Sequence, residues 1–309
     1  MVPKREELTL KKRHSLDRKE ALWAYIFISP PILQFLIFFA VPLGFAVYAS
    51  FTDWNILNPT QHFIGLDNFK EMLTQEKFWK SFANTGMLVF AVPIYMFISM
   101  LVALGYNRRI PLNNAFRVIY YLPFVSSLVA LTVMWRWLFN SQFGIVNNFL
   151  RSVFNIQGPD WLLDPKWIKP VIMLMIIWKM IGVSSIYYLA ALQNIPKTYY
   201  EAAVIDGASG IKQFRHITLP MLTPISFYQL VVFSIGTLQT LIEVYMLTEG
   251  GLGGRNYSAG TVAFYIFDSG FRHYRMGYAC GVSLVFLILV MAITLIQFKL
   301  SDKWVFEGN

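Results

Sequence analysis

The sequence predicts an all-α integral membrane protein with six transmembrane helices and a compact cytoplasmic helix–glycine–helix loop. Three observations carry that prediction. Of 309 residues, 56% are hydrophobic and only 14% charged, against roughly 25% charge in a soluble domain. Such a chain has too little polar surface to clothe itself in water. Six apolar stretches each approach the ~20 residues that cross ~30 Å of hydrocarbon, and basic residues gather at alternate ends of those stretches. A disordered chain would need the opposite composition. One cysteine and four scattered histidines leave neither a disulfide scaffold nor a zinc module. No run alternates with the period of a barrel strand, so the spans are read as helices.

Residues 1–22 form a basic segment whose Lys11-Lys12-Arg13 and Arg18-Lys19 read as an orientation signal in contact with membrane lipid. The transmembrane domain is assigned to 23–298, with spans at about 23–49, 84–106, 118–140, 168–193, 222–247 and 276–298. The first apolar stretch, Ala21–Thr52, is uncharged, and its Pro30-Pro31 and Pro42 imply a kink or an interfacial lead-in. It far exceeds the ~7–15 residues of a signal-peptide apolar region, so it is expected to remain in the mature chain. The apolar cores of the second and third spans, and the whole sixth, are uncharged. The fourth holds Lys169 and Lys179, and the fifth holds Glu243. No internal repeat of the inverted kind stands out. Placing the amino terminus in the cytoplasm puts 15 basic residues in the inner loops and 8 in the outer ones, as the positive-inside rule requires. The tail 299–309 then returns to the cytoplasm. The inner loops are net +7 and the outer loops neutral, so most of the +9 net charge is topology. A nucleic-acid partner is excluded, because the charge forms no continuous stripe.

The loop 194–220 carries the most information. Pro196 suits a first helical turn, Glu201-Ala202-Ala203 are strong helix formers, and Gly207 stands where a left-handed cap would end that helix. A second short helix over about Ile211–Thr218 would lead to Pro220 and the next span. A compact elbow of this kind can transmit force where a floppy connector could not. By itself it could equally be an interfacial connector with solvated charges.

The spacing is more particular than that. Glu201-Ala202-Ala203, three residues, Gly207, nine residues, Ile217, one residue and Leu219-Pro220 resemble the EAA loop of permease subunits in binding-protein-dependent ABC importers. Gly65-Leu66-Asp67-Asn68-Phe69, Phe78-Trp79, Asn84-Thr85, Arg117, Tyr121-Leu122-Pro123, Trp135, Gly144-Ile145-Val146-Asn147, Tyr245, Leu247-Thr248 and Gly250-Gly251 resemble the sugar-importing branch, the maltose, glycerol-phosphate and oligosaccharide type. Leu252 departs from the proline usual there, in a loop turn only. The resemblance implies a type I ABC importer permease fold in a bacterial inner membrane. It implies four kinds of partner: a second homologous permease, two ATP-binding subunits, an extracytoplasmic solute-binding protein and a saccharide. Glu201, Ala202, Ala203, Asp206, Gly207, Ile217, Leu219 and Pro220 would form the coupling element that docks on an ATP-binding subunit, with Glu201 pairing a basic group there. The chain has no GxxxxGK[ST] phosphate loop. It is therefore expected to be no enzyme and to bind no cofactor, with ATP and Mg on partner subunits.

Polar groups at membrane depth are costly and so mark candidate substrate contacts. Lys179 lies roughly 16 Å into its span. Gln239 and Glu243, four apart, would share one helix face, with Gly236, Thr237 and Thr240 beside them. Trp135 and Arg136 sit toward the outer end of the third span. Each has a plainer account: Arg136 with its tryptophans as an aromatic belt, Glu243 as a rim residue or a partner for Arg136, Lys179 as a structural pair, Gln239 as interhelical glue. The buried cations would suit an acidic saccharide such as an oligouronate. His14, His62, His216 and His273 have no metal spacing, Cys280 reads as a small core residue, and no catalytic cluster is visible. The principal rival is an ion-coupled secondary transporter, which accounts for Lys179 or Glu243 but leaves the loop spacing to coincidence.

Overall fold

The computed structural model describes residues 4–58, 60–107 and 113–306, with side chains from residue 19 onward except 113 and 114. The basic run Lys11-Lys12-Arg13, Arg18 and the inner-loop pair Arg108-Arg109 lie outside the described side chains. Among the described residues there is no strand, only isolated bridges pairing Thr52 with Phe63 and Asn55 with Asn58. Five helices among the described residues are long and apolar enough to cross a membrane: α1 (Lys19–Ser50), α3 (Glu76–Tyr106), α7 (Ile168–Gln193), α9 (Gly210–Leu238) and α12 (Met276–Ser301). Counted together as one span, a bent pair, α4 (Asn113–Val125) and α5 (Leu128–Leu138), makes a sixth. Shorter helices are α2 (Asp67–Thr74), α6 (Ile145–Phe154), α8 (Lys197–Ile205), α10 (Ile242–Leu247) and α11 (Val262–Phe267).

The core is the α3–α7 pair, with Tyr95, Val92, Ile172 and Met175 buried between helices. Lipid gives no hydrophobic drive for helix association, so close backbone approach and polar bonds must do that work. Gly182, Ser184 and Ser185 are fully buried on α7. Ser99 donates to the Ile181 carbonyl (3.1 Å), and the Ser184 hydroxyl donates to Gln229 Oε1 on α9 (2.5 Å). At Gly182 the backbone of α4 crosses so closely that a Cβ would strike the Tyr120 carbonyl oxygen. Helix α1 packs on α12 through Val41–Ser50 and is otherwise exposed along its apolar length.

Polar side chains staple the loops at the end opposite the elbow. Asn68 donates to the Ser50 and Thr52 carbonyls (2.8 and 2.9 Å), closing the end of α1. Asn84 donates to the Tyr257 and Gly260 carbonyls (both 3.0 Å) and accepts from Lys169 (3.2 Å). Trp161 donates to Asn147 (2.6 Å). Arg275 grips Glu71 in a bidentate pair (2.7 and 2.5 Å) and lies over the Tyr278 ring at 4.6 Å. The Asp53 carboxyl accepts the His62 backbone N–H and faces its ring, which holds it below the usual carboxylate range.

Four expected elements differ. The third span, expected as one helix over 118–140, bends by 98° between α4 and α5. Pro123 has already removed one ladder donor, and the Ser126 hydroxyl then takes the Leu122 carbonyl (2.8 Å). Ser127, with extended backbone, starts the new helix. The fifth span, expected as one helix over 222–247, breaks at Gln239–Leu241. Bonds from Gln239 to Gly236 and from Thr240 to Thr237 tighten the last turn, and Leu241 leaves helical geometry. The second elbow helix is not separate. It is the first part of α9, continuing through a wide turn, Phe214–Thr218, just ahead of Pro220, whose ring cannot join a regular ladder. The second span starts at Glu76, eight residues before the expected boundary at Asn84.

Gly182→Ala should lower the thermal midpoint of the detergent-solubilised protein by an amount equivalent to about 1–3 kcal/mol or more, the usual cost of overpacking. Gly86→Ala, in open space on α3, should leave the midpoint unchanged or raise it slightly.

Candidate functional site

The elbow is braced from both sides. Gly207 adopts φ +70, Ala208 N–H reaches back to the Ala203 carbonyl (2.8 Å), and Gly207 N–H to Val204 (3.0 Å). This six-to-one and five-to-two pairing is the Schellman arrangement, which satisfies the last carbonyls of α8. Tyr200 Oη bonds Thr218 Oγ1 (2.9 Å), and Gln213 donates to the Ala208 carbonyl (3.0 Å), tying α8 to the start of α9. Glu201, Ala202, Asp206, Gly207 and Leu219 are exposed, whereas Ala203, Ile217 and Pro220 are partly covered. The sequence reading missed the two most prominent side chains here. Ile205 and Ile211 are 86% and 82% exposed on either side of the glycine. Their signal was available: two isoleucines flanking Gly207 in a loop where nothing else calls for apolar surface.

A second constellation lies at membrane depth, where α7 meets the broken fifth span. Lys179 Nζ stands 3.5 Å from Glu243 Oε1, both side chains largely buried. They line a cavity of about 320 Å³ together with Gly236, Thr237 and Thr240, and with Phe124 and Phe233, two aromatics the sequence reading did not select. Five of the expected path residues thus converge.

The other three do not. Gln239 falls in the break and is exposed; the broken helix removes the shared face expected for it and Glu243. Trp135 is buried against Phe139 and Trp178, with ring centroids 5.2 and 5.9 Å away, as packing. Arg136 lines a separate cavity of about 420 Å³. Glu243 takes Lys179 as its partner rather than Arg136.

The break itself is polar-satisfied. Thr240 Oγ1 donates to the Thr237 carbonyl (2.7 Å), and Thr261 Oγ1 donates to the Thr240 carbonyl (2.5 Å) while accepting from Phe264 N–H (3.2 Å) at the start of α11. Val262 N–H reaches Thr85 Oγ1 (2.9 Å). Among the described residues no group of three acidic, histidine or cysteine side chains is placed to hold a metal.

Residues 88–305 match the model of the binding-protein-dependent transport system inner membrane component family. The chain belongs to this family. The probable ABC transporter permease protein YesP of Bacillus subtilis is 38% identical over 96% of this chain and 95% of its own length. The lactose transport system permease protein LacF of Rhizobium radiobacter is 35% identical over 93% of this chain and 96% of its own. A subunit in the crystal structure of a bacterial alginate ABC transporter, in complex with an alginate pentasaccharide-bound periplasmic protein, aligns with a TM-score of 0.82 at 26% identity, over 95% of this chain and 98% of that one. The all-helical permease fold follows from both the family and this superposition.

The Lys179–Glu243 pair makes a stability prediction for the permease. Lys179→Met leaves a largely buried carboxylate without its partner and should cost about 3–5 kcal/mol, seen as a lower melting midpoint in detergent. The double variant Lys179→Met/Glu243→Gln removes both charges and should recover most of that loss. Equal midpoints for the single and double variants would show that the pair does not compensate charge.

Proposed function

We propose that this permease is one of two related membrane halves of an importer for an oligosaccharide. A solute-binding protein delivers the cargo from outside, and two separate subunits that hold ATP and Mg drive it inward. The elbow is the observation that carries this reading. A rigid, doubly braced corner that exposes Glu201 beside two isoleucines is shaped for a protein groove rather than for water, since exposed apolar patches of this kind mark interaction sites. With the elbow on the cytoplasmic side, the basic-rich ends of the spans lie inside, and so do both termini.

The saccharide class draws on two supports. LacF is named for lactose and the structural relative for alginate. The cavity beside α7 combines aromatic faces with hydroxyl, amine and carboxylate groups, the mixture that packs against a sugar ring and bonds its hydroxyls. An acidic cargo draws less support from this chain's own charges. Lys179 is neutralised by Glu243, and Arg136 shares its cavity with Asp160 and Glu249, so neither cavity has a net positive lining.

The docking role is tested in the reconstituted complex with Glu201→Lys. Uptake should fall by about tenfold or more, equivalent to ~1.4 kcal/mol or more of coupling, while basal ATP hydrolysis and membrane insertion persist. Ile205→Asp, on the same face of the corner, should act alike. Coupled uptake at the normal rate in both variants would overturn the assignment, and uptake that survives ATP depletion on a maintained proton gradient would overturn the energy source.

A further inference from the structure

The larger of the two cavities, about 420 Å³, lies outward of the Lys179–Glu243 pair, between the ends of α5 and α10 and the loops that follow them. Its lining is unlike a packing defect. Arg136, Asp160 and Glu249 all face it, and among the described residues none of the three forms an ion pair. Asn140 is oriented for a ligand: its Oδ1 accepts the Gln142 and Phe143 backbone N–H groups (2.9 and 3.1 Å), which leaves its amide nitrogen to donate. Trp137, 52% exposed, lines the same space. An accessible indole with carboxylate, guanidinium and amide groups around it offers both elements of sugar recognition, a flat apolar face and convergent hydrogen-bonding groups.

The placement of the two cavities makes this more than composition. Glu243 lines the inner cavity and Leu247 the outer one, and both lie on α10. The two residues are four positions apart, about 6 Å along the helix axis and on one face of it. α10 therefore contributes to the wall of both cavities.

We propose that the outer cavity is a second saccharide subsite, in which Trp137 stacks on a sugar ring and Asn140 and Asp160 bond its hydroxyls before the chain slides along α10 to the Lys179–Glu243 cavity. This rests on the saccharide reading above. The subsite takes neutral or hydroxyl-rich rings, because its one cation faces two carboxylates.

The test uses the whole transporter in lipid nanodiscs without its binding protein, with saturation-transfer NMR on two probes, lactose and an alginate pentasaccharide. The wild-type complex should transfer saturation to ring protons of lactose more strongly than to those of the pentasaccharide. Trp137→Ala should weaken the lactose signal by about tenfold, the loss of one aromatic contact, Trp137→Phe should restore much of it, and the charge-free inner-site variant Lys179→Met/Glu243→Gln should leave a clear outer-site signal. A signal lost with Lys179→Met/Glu243→Gln but untouched by Trp137→Ala would overturn the subsite in favour of a single inner site. The cavity could instead touch the binding protein. In that case Trp137→Ala would raise the concentration of loaded binding protein needed for half-maximal uptake and spare the maximal rate and the NMR signal, which also overturns the proposal. Should neither probe give a signal on the wild type, nor be taken up by it with ATP present, the saccharide reading fails and the subsite with it.

Discussion

The break in the fifth span at Gln239–Leu241 is the feature on which the arrangement at membrane depth depends. Backbone groups freed from a helix inside hydrocarbon cost several kcal/mol each unless something else satisfies them. Here Thr261 does so from a distant part of the chain, giving its hydroxyl hydrogen to the Thr240 carbonyl while its oxygen caps α11. Thr85 and Asn84 hold the segment that carries Thr261, through Val262 N–H and the Tyr257 and Gly260 carbonyls. The bonds thus run from α3 through the loop before α11 to the broken helix end. Beyond the break so held, Glu243 lies 3.5 Å from Lys179. The break, the ion pair and the cavity between them are one construction.

That construction explains which features were legible in the sequence. Span number and helical character follow from local composition, and the elbow follows from local backbone chemistry, because only a glycine adopts φ +70 at so little cost. Breaks within spans are harder. Pro123 and Ser126 were visible, but a proline inside a transmembrane helix is often accommodated by neighbouring groups, and nothing local decides between a gentle kink and a 98° turn. The fifth-span break has no proline at all, and its stabilising partner, Thr261, lies 21 residues away from Thr240. Asn68, Asn84 and Asn147 stood out as parts of a family pattern with no assigned work, and each proves to be a cross-chain staple for loop carbonyls or an indole. The assumption of one continuous helix also misplaced Gln239, since a shared face at i and i+4 exists only while the helix does.

Helix continuity has the opposite consequence at the elbow. An independent second helix there would have ended at Pro220 and left a joint between the corner and the membrane. Instead Ile211 and Thr237 lie on one helix, separated by 26 positions, roughly 39 Å at ~1.5 Å per residue. The wide turn at Phe214–Thr218 absorbs the proline without ending the helix. Ser184 and Gln229 fix the middle of that helix to α7, and Tyr188 and Ser226 (3.0 Å) do so about one turn nearer the elbow. The two ends of α9 therefore differ in what they permit. At the elbow its exposed isoleucine moves only with the helix axis. At the cavity the axis stops at the break, and α10 is joined to it by three residues held by hydroxyl bonds rather than by a ladder. Gly236 and Thr237 share one helix with the corner, while Glu243, beyond the break, is paired with Lys179 on α7. The wall of the cavity is thus made of one element continuous with the elbow and one beyond the break, both bonded to α7. Relative motion between those two would change the cavity's shape, and it would load both the joint at Gln239–Leu241 and the bonds that hold each element to α7.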